Sequence, residues 1–191
     1  MTLFDRLKVE TGPAHERIER EIHLPERLRS REAYRGLLKR FYGFHIVWEA
    51  EAQRGLADPG FFDRRRKTHL LLRDLRALGM EDAAIERLPL CRPVPLMPTR
   101  AAALGSMYVV EGSTLGGAVI SKEVERALGL GVQSGCACFR SYGADVGRMW
   151  TSFRAHLLAH ASSRDENEII AAAIATFETL RIWLCTETLD S

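Results

Sequence analysis

"ALGSMYVVEGSTLGGAVISK", residues 103–122, reads as the middle of one long helix, yet it carries Gly105, Gly112, Gly116 and Gly117. Each glycine inside a helix costs about 1 kcal/mol relative to alanine, so the four forfeit roughly 3–4 kcal/mol together. Gly105, Gly112 and Gly116 are seven and four residues apart, which sets them nearly in line along a helix. Such a line is a bare stripe that another body can approach closely. Two bodies fit it: a second helix packed through a Gly-x-x-x-Gly contact, or a flat cofactor laid against the backbone. The Gly116-Gly117 doublet also loosens the helix and permits a bend.

Helical signals continue on both sides. Thr99 is placed to cap this helix, and the Gly129/Gly131 pair to end it. Upstream, "CRPVPLMPT" (91–99) holds three prolines in nine residues and makes an extended connector. Leu3, Leu7, Thr11, Ala14, Ile18 and Ile22 form the apolar stripe of a first helix. Pro13 lacks a backbone donor and crowds the Val9 carbonyl, so a kink is expected there, or a restart capped by Thr11. Further helices are expected over about 30–54, with Ser30 as cap, and over 62–78, stopping at Gly79. Three more are expected over 81–88, 144–161 and 165–188. No run alternates convincingly as a strand, and no repeat appears. The expectation is an all-α fold, a single domain over 1–191.

The composition fits that picture. A chain of 191 residues, 46% hydrophobic and 27% charged, is large enough for one real core. A net charge of +2 gives no nucleic-acid footprint. Arg64-Arg65-Arg66-Lys67 is the one dense basic run; it suits a solvated helix start or, as the alternative, docking of an acidic protein. There is no apolar stretch long enough for a membrane span, and the charged N-terminus does not read as a signal peptide. Cys91, Cys136, Cys138 and Cys185 form no Cys-x-x-Cys pair, which suits free thiols in a cytoplasmic protein.

Among the six histidines, none has a glutamate three residues before it, which removes a di-iron bundle. His156 and His160 share a helix face, but nothing nearby in sequence completes a metal site. His15 has better company. Glu19 lies one turn on and Lys8 two turns back, on the same side if the helix continues through Pro13. A carboxylate at that spacing can accept one ring N–H and leave the other nitrogen for a metal.

A ligating histidine on one helix and a glycine-lined helix about ninety residues later describe a haem sandwich. On "LKVETGPAHERIE" (7–19) and "ALGSMYVVEGSTLGGAVISK" (103–122), in this order and separation, the chain resembles haem oxygenase, most of all its bacterial, biliverdin-producing branch. The late "FRAHL" and "FETLRIWL" segments extend the resemblance over almost the whole chain.

The resemblance implies a helical bundle with haem between a proximal N-terminal helix and a kinked, glycine-rich distal helix. It implies that His15 is the proximal ligand of the haem iron, with Glu19 as its hydrogen-bond partner. Gly112, Ser113, Gly116 and Gly117 would line the distal, catalytic side. Lys8, Tyr108 and Arg154 would reach the haem propionates, and Phe177 would lie near the haem edge. Ser113 stands where much of the family has an aspartate that organises distal waters. The implied activity is O2- and reductant-dependent cleavage of haem b at a meso carbon to biliverdin, CO and ferrous iron, haem being both cofactor and substrate. Electrons would come from an external donor, a ferredoxin or an NADPH-dependent reductase, and a bilin-binding phytochrome is a candidate product acceptor. The protein would act as a cytoplasmic monomer, without nucleic acid or membrane. A non-catalytic haem carrier or sensor on the same fold would keep His15 without needing the glycines. A thiaminase-like helical enzyme would use a buried Cys or Glu nucleophile instead.

Overall fold

The computed structural model describes residues 1–186. It begins with α1 (Leu3–Glu21), which a reciprocal cap starts: the Thr2 hydroxyl accepts from Asp5 N at 3.2 Å, and the Asp5 carboxylate accepts from Thr2 N at 2.9 Å. α1 runs unbroken through Pro13. The expected restart does not occur, and Thr11 is no cap; its hydroxyl donates back to the Leu7 carbonyl at 2.7 Å. Tertiary packing overrides the proline here, because α1 lies along the last helix for its whole length.

The remaining elements are α2 (Leu24–Arg27), α3 (Arg31–Leu56), α4 (Pro59–Phe62), a 3₁₀ turn at Asp63–Arg65, α5 (Thr68–Ala77), α6 (Asp82–Ile85), α7 (Arg100–Leu128), α8 (Ala137–Arg140), a 3₁₀ turn at Gly143–Asp145, α9 (Val146–His160) and α10 (Glu166–Cys185). The described residues contain no strand. Local chemistry sets most boundaries. The Ser30 hydroxyl accepts from Ala33 N and the Thr99 hydroxyl from Ala102 N, while Gly129 ends α7 in the left-handed region at φ 66°. The last expected helix stops at Cys185, and positions 187 and 188 lie outside the described residues.

One expected helix is divided. The span 62–78 becomes the end of α4, a 3₁₀ turn, and α5 beginning at Thr68, with Arg66 extended at ψ 142° between them. The cause sits on another helix. The Glu49 carboxylate of α3 accepts from the backbone N–H groups of Lys67 and Thr68 at 2.5 and 2.8 Å, capping α5 from outside.

Three helices place the site. α1 and α10 run parallel: Arg6 pairs with Glu166 near their starts, Arg17 with Glu178 further on, and Arg181 with Glu21 at the end. α7 crosses α10 where Gly105 meets Ile169, and a Cβ on Gly105 would lie 2.1 Å from the Ile169 carbonyl oxygen. The crossing is fastened by polar groups. Trp48 Nε1 of α3 donates to Ser106 Oγ at 2.8 Å, and Ser106 Oγ bonds Thr176 Oγ1 at 2.7 Å. Further along, α7 also packs on α9 and α8, with Gly112 near Trp150 and Gly117 near Phe139.

Candidate haem site

Between 112 and 119, α7 has an open face. Leu115, Gly116 and Val119 are exposed on it, Val119 at 71%, and Ser113 and Ala118 are exposed on its two flanks. A Cβ built on Gly116 would meet nothing within 4 Å, and one on Gly112 would find only the Trp150 ring at 3.8 Å. Gly117 faces the other way and is buried; a Cβ there would lie 2.8 Å from the Phe139 carbonyl oxygen of α8. The glycines therefore divide by task. Gly105 and Gly117 admit neighbouring backbone, whereas Gly112 and Gly116 leave open space. The Ser113 hydroxyl donates to the Val110 carbonyl at 2.8 Å and so turns back onto its own helix.

α1 presents His15 beside α10. Its ring is more than half exposed, Nε2 lies 3.3 Å from Glu19 Oε1, and the Phe177 ring of α10 stands 5.4 Å away. The i, i+4 spacing thus brings His15 to Glu19, and the packing of α1 on α10 brings Phe177 to His15. With one ring nitrogen held by a carboxylate, the other is left for a metal.

α1 touches α7 through Tyr108. The Phe4 and Tyr108 ring centroids are 6.4 Å apart, and the Thr11 side chain lies near the Tyr108 phenol. Burial raises the Tyr108 pKa above its usual value despite the nearby Thr11 side chain and Arg154 charge, so the phenol stays protonated and able to donate. The Arg154 guanidinium of α9 lies over the Phe4 ring at 4.5 Å, and Trp150 sits 5.7 Å from Tyr108. Lys8 is exposed one turn beyond Phe4 on α1. Phe4 thus brings the Tyr108 phenol and the Arg154 guanidinium of two other helices together, with Lys8 on the next turn of α1.

These residues suit a flat, apolar ring bearing carboxylates and a metal. α7 supplies bare backbone and aliphatic side chains, α1 an imidazole with a carboxylate partner, and α7 and α9 a phenol and a cation. Phe4 and Trp150 are two members of this wall that sequence reasoning missed; both are ordinary aromatic positions of amphipathic helices until the fold places them.

Other candidates resolve differently. The His160 ring bonds the His156 carbonyl at 2.8 Å, and His156 stacks on Phe61 at 3.6 Å; among the described residues no cluster of three or more metal-type ligands forms. The basic run 64–67 is not a solvated face: Arg65 and Lys67 are 2% and 3% exposed, and Arg66 pairs with Asp63 and Glu49. Docking of an acidic partner on that run has no basis in the fold. No described helix is long and apolar enough to cross a membrane.

Comparison with known proteins bears on the family and the fold. The family model described as "Heme oxygenase" matches residues 1–186. No curated protein sequence matches significantly. Among solved structures, the fold is similar to the haem oxygenase of Leptospira interrogans, with TM-score 0.80 and 18% identity over 97% of this chain and 99% of that one. It is also similar to the NO- and CO-bound haem oxygenase of Neisseria meningitidis, with TM-score 0.79 and 23% identity over 96% of this chain and 90% of that one. A third neighbour is haem oxygenase 2 of Chlamydomonas reinhardtii without haem, with TM-score 0.75, 16% identity and 96% coverage of each chain. At these identities the neighbours establish the fold, and the family model covers nearly every residue: the chain belongs to the haem oxygenase family.

Proposed function

We propose that this protein cleaves haem b with O2 and external electrons to biliverdin, CO and ferrous iron. Two observations carry this reading: the open space at Gly112 and Gly116 of α7, and the exposed His15–Glu19 pair of α1. Bound haem supplies an iron that takes up O2 and a porphyrin that is itself the substrate.

The chain's own residues do the rest. His15 holds the iron from the proximal side, and Glu19 fixes the ring by accepting its second N–H. Gly112 and Gly116 let the distal backbone come close to whatever lies over the iron, because no β-carbon intervenes. Ser113 brings a hydroxyl rather than a carboxylate to that side. Leu115 and Val119 shed water from the ring face. Lys8, Tyr108 and Arg154 grip the two propionates and set how the ring is turned in its plane. Gly117 supports this wall from behind, by packing on Phe139. Electrons come from a ferredoxin or an NADPH-dependent reductase in the cytoplasm, the protein acts as a monomer, and its product suits a bilin-binding phytochrome.

Titration with ferric haem tests the reading. One equivalent is expected to bind with a histidine-ligated spectrum. Ascorbate, or ferredoxin with its reductase, should then replace the haem band with bilin absorbance and release CO. Binding without turnover would favour a haem carrier or sensor, and no binding would remove both.

A further inference from the structure

Arg65 is the most deeply buried guanidinium of the basic run, and its contacts are spread over three elements. It pairs with the Glu111 carboxylate of α7, with the two side chains 3% and 1% exposed. The same Nη1 reaches the Met149 carbonyl at 3.3 Å, and Nη2 reaches Ser152 Oγ at 3.4 Å, both on α9. Its plane stacks over Phe61 of α4 at 4.1 Å. The second Glu111 oxygen accepts from the Tyr142 hydroxyl at 2.7 Å. Glu111 immediately precedes Gly112. Met149 and Ser152 flank Trp150, the ring that faces Gly112, and Arg154 lies one turn further along the same helix.

We propose that the Arg65–Glu111 pair sets α9 against the distal helix at the level of Gly112, and thereby fixes where Trp150 and Arg154 stand and which way the porphyrin is turned. This rests on the haem-cleaving reading above. Both are positioning residues: they act through α9 and touch no substrate. The chemistry argues for position over glue. A buried ion pair is weak support for stability, since apolar residues of similar size often replace one without loss. A guanidinium instead offers donors in a fixed planar fork, so it can hold a carboxylate on one helix and two groups on another at a set angle. A lysine could keep the charge but not the fork.

Two variants separate these roles. Arg65→Met with Glu111→Gln removes the ion pair while leaving Tyr142 an acceptor; Arg65→Lys keeps the charge and loses the link to α9. Three quantities are read: amide exchange of α9 in the haem-free protein, the haem methyl resonances of the ferric cyanide complex, and the ratio of biliverdin isomers. In both variants α9 exchange should rise about tenfold relative to α3. The methyl resonances should divide into additional sets and the isomer ratio should broaden, even where Arg65→Lys melts like the wild type. Unchanged resonances, isomers and α9 exchange in Arg65→Lys would overturn the proposal, whatever happened to melting. If the double variant failed to fold, Arg65→Lys alone would decide. If the wild type bound no haem, the functional reading would fall by itself, and unchanged α9 exchange would still overturn the positioning role.

Discussion

Single side chains carry the first two predictions. His15 is more than half exposed on α1, with Phe177 its one ring contact, so His15→Ala should fold normally and lose axial nitrogen ligation of ferric haem, as an altered absorption spectrum would report. A wild-type spectrum and turnover would remove it as the ligand. Lys8 lies one turn from Phe4 and Tyr108 packs against Phe4, and their loss should change where the ring opens more than whether it opens. Chromatography of the bilin isomers from Lys8→Ala and Tyr108→Phe should therefore show altered ratios at retained turnover. Identical ratios would place orientation with Arg154 and the apolar wall. The His15–Glu19 pair was legible because an i, i+4 relation on a helix is local. Glu111 left a fainter sign: it shares a buried face with Leu104, Met107 and Thr114, where an unpaired carboxylate would be costly. Its partner Arg65 was hidden inside a run of four basic residues, which by composition alone belongs to solvent.

At the scale of helices, the glycine stripe makes a prediction with opposite signs. Gly116→Ala adds a methyl to open space, so the haem-free protein should melt no lower and gain up to about 1 kcal/mol. The same change at Gly105 or Gly117 meets backbone carbonyls and should destabilise by about 1–3 kcal/mol. Thermal melts of the three variants compare them directly, and a Gly116→Ala protein as unstable as the other two would close the open face. Spacing alone put Gly105, Gly112 and Gly116 on one line; which neighbour each meets depends on where α10 and α9 lie. Helix boundaries divide in the same way. Ser30 and Thr99 cap their own helices and were readable, whereas Glu49 caps α5 from another helix. Likewise Asp74 of α5 accepts from Ala137 N and Cys138 N to start α8, 63 and 64 residues away. Long-range caps leave no local pattern. Pro13 errs in the other direction, its local breaking tendency being overridden by the α1–α10 contact.

For the whole molecule, two histidines tie stability to acidity. Burial pushes the His45 pKa down to about 3, with the Lys67 charge adding to it, and burial beside His160 pushes His156 down to about 4. The unfolded chain takes up these protons near pH 6.5, and the folded one does not. Stability is therefore complete above about pH 6.5 and falls as the pH drops toward the folded values, by at most about 1.4 kcal/mol per pH unit for each group. His45→Phe, set among Phe41, Phe44 and Trp48, should flatten the decline of melting temperature between about pH 6.5 and 4. An unaltered slope would assign the acid limb to carboxylates. The all-helical architecture itself was legible from periodicity and the absence of alternating runs.

The open face of α7 also has a calorimetric consequence. It leaves Leu115 and Val119 hydrated, at 43% and 71% exposure, beside bare glycine backbone. Whatever apolar plate settles there withdraws water from both surfaces at once, so association must lower the heat capacity. The binding enthalpy then grows more favourable with each degree, and a plot of log affinity against reciprocal temperature bends instead of running straight. The curvature measures how much of that face is covered, independently of any colour the ligand carries.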